Sequence, residues 1–143
     1  MNIAGRPAKK GARMSKTPEQ VVREFCAAFA VSDVDELVSF FADDAVYIDG
    51  PRATHHGIDA IRTEIASQVR MIPTAVVDIT TLLERDGVVI IERVDNFEVA
   101  GEPFALDVAA VFTIDEAGHI TRWRDYYDLQ SIAERTAAAL QGS

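Results

Sequence analysis

Lysine is missing from most of this chain: none occurs after Lys16. Mechanisms that need a lysine nucleophile or Schiff base therefore have no residue to use beyond that point. Cysteine is almost absent too. The lone Cys26 excludes an internal disulfide and any C-x-x-C redox or zinc motif. No apolar run reaches the roughly 18 residues of a membrane-spanning helix, and no basic-apolar-small leader opens the chain, so a cytoplasmic protein is expected. G-x-S-x-G, the phosphate loop, G-x-G-x-x-G and H-E-x-x-H are all lacking, which argues against serine-hydrolase, nucleotide-binding and zincin chemistry. Of the three histidines, His55 and His56 sit side by side in a Gly/Pro-flanked stretch and His119 stands alone. With no third ligand at a recognisable spacing, the pair reads as loop residues, and neither a metal nor a cofactor is expected.

The charge is unevenly placed. The chain has 14 basic and 23 acidic residues, a net −9. Residues 1–16 hold five of the basic residues and no acidic one, so residues 17–143 carry nine against 23, or −14. A domain so acidic repels nucleic acid and anionic membrane. The reading is a basic, flexible N-terminal tail over 1–16 and a single domain over 17–143. At 143 residues and 48% hydrophobic, the chain is long enough to bury a core without staples.

Helical periodicity comes first. Thr17-Pro18-Glu19-Gln20 has the form of a capping box with proline at the first helical position. Val21, Val22, Phe25, Cys26 and Phe29 then make one apolar stripe. A short helix is expected after Ser32, with Val34, Leu37, Val38 and Phe41 inward, then a short strand over Val46–Asp49. Ile58, Ile61, Ile65 and Val69 mark a third helix after Gly57. From Pro73 the period drops to two. Strands are expected over Val76–Glu84 and Val88–Val99, joined at Asp86-Gly87, and over Phe104–Ile114 and Ile120–Asp128. A helix from Leu129 to Leu140 closes the chain. Helices followed by a long antiparallel meander define an α+β fold.

Strand parity exposes an anomaly. The more apolar face of Val88–Val99 carries Val89, Ile91, Arg93, Asp95, Phe97 and Val99. Buried Arg and Asp are unfavourable unless paired. In the last strand Trp123, Asp125 and Tyr127 share a face, and in the short strand Tyr47 and Asp49 do. Five polar groups, Tyr47, Asp49, Arg93, Asp95 and Asp125, thus point into what should be an apolar interior. Two readings fit: a structural salt bridge, or a functional pocket.

The segments Glu92-Arg93-Val94-Asp95 and Trp123-Arg124-Asp125-Tyr126-Tyr127-Asp128-Leu129 resemble the two signature segments of the limonene-1,2-epoxide hydrolase family, and Phe41–Tyr47 resembles its first strand region. The resemblance runs from about Thr17 to Arg135. It implies a cone: a strongly curved, mixed but mostly antiparallel sheet wrapped on three to four helices around a deep pocket, in the company of SnoaL-like cyclases, ketosteroid isomerase and nuclear transport factor. It implies a homodimer, an apolar epoxide as substrate, and attack by water in one step without a covalent intermediate. Carried over, Asp125 is the base that deprotonates water, Asp95 the acid that protonates the epoxide oxygen, Arg93 the holder of both, and Tyr47 a water-positioning group. The implied pocket wall draws Phe25 and Phe29 from the first helix, Ile91 and Phe97 from the Arg93 strand, and Leu106, Val108, Ala110 and Phe112 from the next. Trp123 and Tyr127 complete it.

One position departs from the pattern. The family has an asparagine where this chain has Asp49, and an Asp must be protonated to donate as well as accept. Ala42–Asp49 also resembles ketosteroid isomerase, in which an Asp here is the proton-abstracting base. That enzyme needs a Tyr and a protonated Asp as oxyanion donors, and an ungapped comparison sets Phe25 and Ala110 at those places. An isomerase or cyclase acting through Asp49, and a non-catalytic binding domain of the same shape, therefore stay beside the hydrolase as alternatives.

Overall fold

The computed structural model describes residues 16–142. The basic segment expected over 1–16 lies, apart from Lys16, outside the described residues. Thr17 starts α1 (Pro18–Ala28) with a full capping box: its hydroxyl accepts from the Gln20 amide at 3.1 Å, and its own amide donates to Gln20 Oε1 at 2.9 Å. α1 buries Val21, Val22, Phe25 and Cys26. α2 (Val34–Ser39) is capped by the Asp33 carboxylate rather than by Ser32. α3 (Ile58–Met71) fully buries Ile61 and Ile65. α4 (Leu129–Gln141) starts at Asp128, whose side chain accepts from the Ser131 amide.

Six strands form one curved sheet in an α+β fold: β1 (Phe41–Asp49), β2 (Ala53–His56), β3 (Val76–Arg85), β4 (Val88–Val99), β5 (Glu102–Ile114) and β6 (Ile120–Tyr126). Their spatial order is β2-β1-β6-β5-β4-β3. Every neighbouring pair is antiparallel except β1 and β6, which run parallel. Two hairpins close on two-residue turns with both φ angles positive, Asp86-Gly87 and Ala100-Gly101.

Three expectations need correction. β1 is longer than Val46–Asp49, because it starts at Phe41 and crosses a register shift before Val46. Phe41 is therefore a strand residue, not the end of the second helix. His55 and His56 are not in a loop: they lie in β2, an edge strand paired only with β1.

The inward sheet face packs on α1–α3. Phe25 sits at the centre of this core, edge-on to Phe29, Phe40, Phe41, Phe112 and Trp123 at centroid distances of 5.0–6.1 Å. Removing such a ring costs about 3–5 kcal/mol. A second, smaller cluster of Val99, Phe104 and Ala139 gathers Ile72, Phe97 and Ile132 beneath α4.

Candidate active site

Register builds the site. β6 lies between β1 and β5, which sets Tyr47, Trp123 and Phe112 in one row and Asp49, Asp125 and Ala110 in the next. On β4, Ile91 faces Ala110, Arg93 faces Val108, and Asp95 faces Leu106. The rows bring the five polar residues of β1, β6 and β4 together on the inward face, with β5 lying between β6 and β4.

Arg93 holds both carboxylates. Its Nη1 and Nη2 each donate at 2.9 Å to Asp125, to Oδ1 and Oδ2, while Nε and Nη2 donate to Asp95 at 2.8 and 3.1 Å. Trp123 Nε1 donates a further bond to Asp125 Oδ1 at 2.6 Å. Oδ1 thus receives two donors, and Oδ2 keeps acceptor capacity for a third group. The Asp125 side chain is 6% exposed and that of Asp95 18%, so Asp95 is the carboxylate nearer to solvent. Burial lifts the Asp125 carboxyl above the ordinary carboxylate range, against the opposing pull of Arg93 and the Trp123 N–H.

The Tyr47 ring stacks on Trp123 with centroids 3.9 Å apart and planes 5° from parallel. Burial, with Asp125 and Asp49 nearby, holds its phenol well above the usual tyrosine range, so it stays a protonated donor. Its oxygen accepts from Gln68 Nε2 at 3.0 Å.

Asp49 has partners of its own. Oδ1 accepts from the Tyr127 hydroxyl at 2.8 Å, and Oδ2 from Arg52 Nε at 2.8 Å. Both Asp49 oxygens thus accept a hydrogen bond, one from each neighbour. Tyr127 reaches Asp49 by lying over Gly50 (φ +50°), where a Cβ would come within 2.5 Å of its ring. Arg52 also pairs with Glu64, and Glu64 Oε2 accepts from Gln68 Nε2 at 3.0 Å. His55 Nε2 is 3.7 Å from Glu64 Oε1.

Sequence reasoning missed Arg52, Glu64 and Gln68. A signal for two of them existed: Glu64 and Gln68 are four apart on α3, beside the buried Ile61 and Ile65. The expected pocket wall divides. Phe25, Ile91, Ala110 and Phe112 are fully buried in the main core, with Phe29 at its margin. Val108 is buried opposite Arg93, Leu106 is half-buried opposite Asp95, and Phe97 packs into the α4 cluster, stacked on Phe104. A groove of about 240 Å³ runs between α1 and β3, lined by Arg23, Cys26, Ala27, Val77, Asp78 and Ile79. Val77 and Ile79 are the register partners of Asp95 and Arg93. Burial pushes the Cys26 thiol up to about 12, so it is no nucleophile at neutral pH. Among the described residues, no group of three or more His, Cys, Asp or Glu is arranged to hold a metal ion.

Arg93 thus bridges two Asp on a curved α+β sheet, and comparison with known proteins supplies the family. The SnoaL-like domain family matches residues 22–123, and the chain belongs to it. Among solved structures, it is similar to a protein of ketosteroid isomerase-like fold from Catenulispora acidiphila, crystallised with trimethylamine. That match has 30% identity and a TM-score of 0.73, covering 85% of this chain and 95% of the other. An LEH-like epoxide hydrolase from M. tuberculosis is 24% identical with a TM-score of 0.73, over 86% and 91% of the two chains. A candidate SnoaL-like polyketide cyclase from Shewanella denitrificans shares the fold at 14% identity and a TM-score of 0.72, over 88% and 98%.

Proposed function

We propose that this protein is an epoxide hydrolase of the limonene-1,2-epoxide hydrolase type, adding water to an apolar epoxide (terpene-, steroid- or lipid-like) to give a vicinal diol. The observation that carries the reading is the simultaneous grip of Arg93 on Asp95 and Asp125. One guanidinium matches one negative charge, so the trio suits one ionised and one protonated carboxyl, a base and an acid at one pH. In the reaction, Asp125 takes a proton from water through Oδ2. The water oxygen attacks an epoxide carbon as the C–O bond breaks, and Asp95 gives its proton to the departing oxygen. Proton transfer from Asp125 back to Asp95 resets the pair. Tyr47 donates to the water while Asp49 accepts from it. The substrate's apolar part approaches from the Asp95 side, where the α1–β3 groove supplies Cys26, Val77 and Ile79.

The isomerase or cyclase reading rests on Asp49 as base. Against it, neither Phe25 nor Ala110 can donate a hydrogen bond to an oxyanion. Turnover of a panel of bulky epoxides to diols, with product chirality resolved, tests the hydrolase reading. Isomerisation of a 3-keto-5-ene steroid supports the isomerase instead, and tight apolar-ligand binding without turnover supports a binding domain.

Two copies of the chain pair in this reading through the outer sheet face, where Leu83, Ile90, Val111 and Arg124 are successive register partners and Leu83, Ile90 and Tyr126 are 67%, 47% and 48% exposed. No described helix is long and apolar enough to cross a membrane, and the compartment of this reading is the cytoplasm.

A further inference from the structure

We infer that Gln68, locked by Glu64 and Arg52, is a positioning residue that aims the Tyr47 hydroxyl proton at the reacting water. This rests on the hydrolase reading. Gln68 Nε2 lies 3.0 Å from Glu64 Oε2 and 3.0 Å from Tyr47 Oη. An amide has a donor end and an acceptor end, and only its partners decide which faces which. Glu64 is a carboxylate paired with Arg52, so it can only accept. It therefore turns the Gln68 NH2 toward itself, and the second N–H falls on the Tyr47 oxygen. Tyr47 thus accepts from α3, and its own proton must point elsewhere. The ring is clamped on Trp123, which leaves rotation about the C–O bond as the one remaining freedom. Gln68 removes that freedom.

The same relay ties the two halves of the site together. Arg52 pairs with Glu64 and with Asp49, so the carboxylate that orients Gln68 and the carboxylate that accepts from the water share one guanidinium. A carboxylate in place of the family amide is tolerated here because Arg52 supplies its counter-charge and Tyr127 a donor. The groups facing Gln68 and Tyr47 are Glu64 on α3, Arg52 in the β1–β2 turn, His55 on β2, Asp49 on β1, Arg93 on β4, and Asp125 and Trp123 on β6.

The test uses Gln68→Met and Gln68→Glu. Methionine keeps the length and removes the donor, so kcat on an accepted epoxide should fall about 10- to 100-fold while KM stays within about twofold. The new carboxyl in Gln68→Glu accepts the Tyr47 proton when ionised, and when protonated its single O–H is taken by the Glu64 carboxylate, so Tyr47 loses its donor in either form. Its kcat should therefore fall at least as far as that of Gln68→Met across the parent's pH range, although the change is nearly isosteric. Independently of turnover, the 13Cζ resonance of Tyr47 should shift in Gln68→Met in tyrosine-labelled protein. Parent-like kcat and pH profile in both variants, or an unmoved Tyr47 resonance, would overturn the inference. If the parent turns over no epoxide, the hydrolase reading falls. The proton-aiming role falls with it, while the resonance still decides whether Gln68 governs the hydroxyl.

Discussion

Arg93 and Asp125 meet across an intervening strand. Arg93 is on β4 and Asp125 on β6, with β5 between them, yet Nη1 and Nη2 lie 2.9 Å from the two carboxylate oxygens. Two strand spacings amount to about 9–10 Å, which only a long side chain passing over a small one can cover. Ala110 is the residue beneath, paired with Asp125 on one side and Ile91 on the other. Ala110→Leu should block the guanidinium, add about 1–3 kcal/mol of overpacking strain, and lower kcat/KM by more than about 100-fold. Ala110→Gly should keep activity within about tenfold. Kinetics with melting temperatures check both, and a fully active Ala110→Leu would show that the bridge is dispensable.

Asp125→Asn should reduce the rate by roughly 10²–10⁴-fold, the usual worth of a general base. Arg93→Gln strands the buried Asp125 and the half-buried Asp95 without their cation and should destabilise the fold by about 3 kcal/mol. Because the residues act as one unit, the rate effects of Arg93→Gln and Asp95→Asn should be far from multiplicative in the double variant. Simple multiplication would mean that three separate residues had been mistaken for a network.

The pH dependence follows from the burial of Asp125. The base works only when ionised, and its folded pKa is raised above 3.8, so activity should fall on the acid side at a pH above that value. Trp123→Phe removes an N–H that favours the ionised form, and the acid limb should then move further up. Over the same window the folded state holds the Asp125 proton more tightly than the unfolded chain does. That contribution to stability is present at low pH and lost as pH rises through the folded pKa. Asp125→Asn should flatten this slope in chemical denaturation across pH.

Asp49 separates the two enzyme readings. Asparagine keeps an acceptor oxygen for the water and the Tyr127 hydroxyl, so Asp49→Asn should retain hydrolysis within about tenfold. As the base of an isomerase it would be irreplaceable by an amide. A folded Asp49→Asn variant dead at every pH would remove Asp125 as the sole base.

Ile90→Asp places a charge at the centre of the outer sheet face. Light scattering after size exclusion should show a dimer for the parent and a monomer for the variant. An unchanged mass would place the contact elsewhere.

The polar anomaly was legible because β4 and β6 alternate cleanly, so Arg93, Asp95 and Asp125 stood out against apolar neighbours of the same parity. β2 was not, because four residues with two histidines give too short a pattern to distinguish a strand from a loop. The first half of β1 was hidden by exposed Asp43 and Asp44. Phe97 shows the limit of parity: it points to the inward face, but α4 claims it for a separate cluster. Glu64 and Gln68 meet Arg52 and Tyr47 only through the packing of α3 on β1, a contact that periodicity does not encode, whereas Arg52 reaches Asp49 locally, three residues along the chain.

The parallel pairing of β1 with β6 sets an order of events during synthesis. Tyr47 and Asp49 emerge early, but the strand that brings Asp125 is the last of the six. Until β6 is made, one edge of β1 stands without its partner, and closing the pair requires a long loop, which is entropically slow. An unpaired strand edge invites contact with other chains. The site is thus completed at the end of folding, so variants that slow the docking of β6 should lower the yield of active protein before they alter the chemistry of the molecules that do fold.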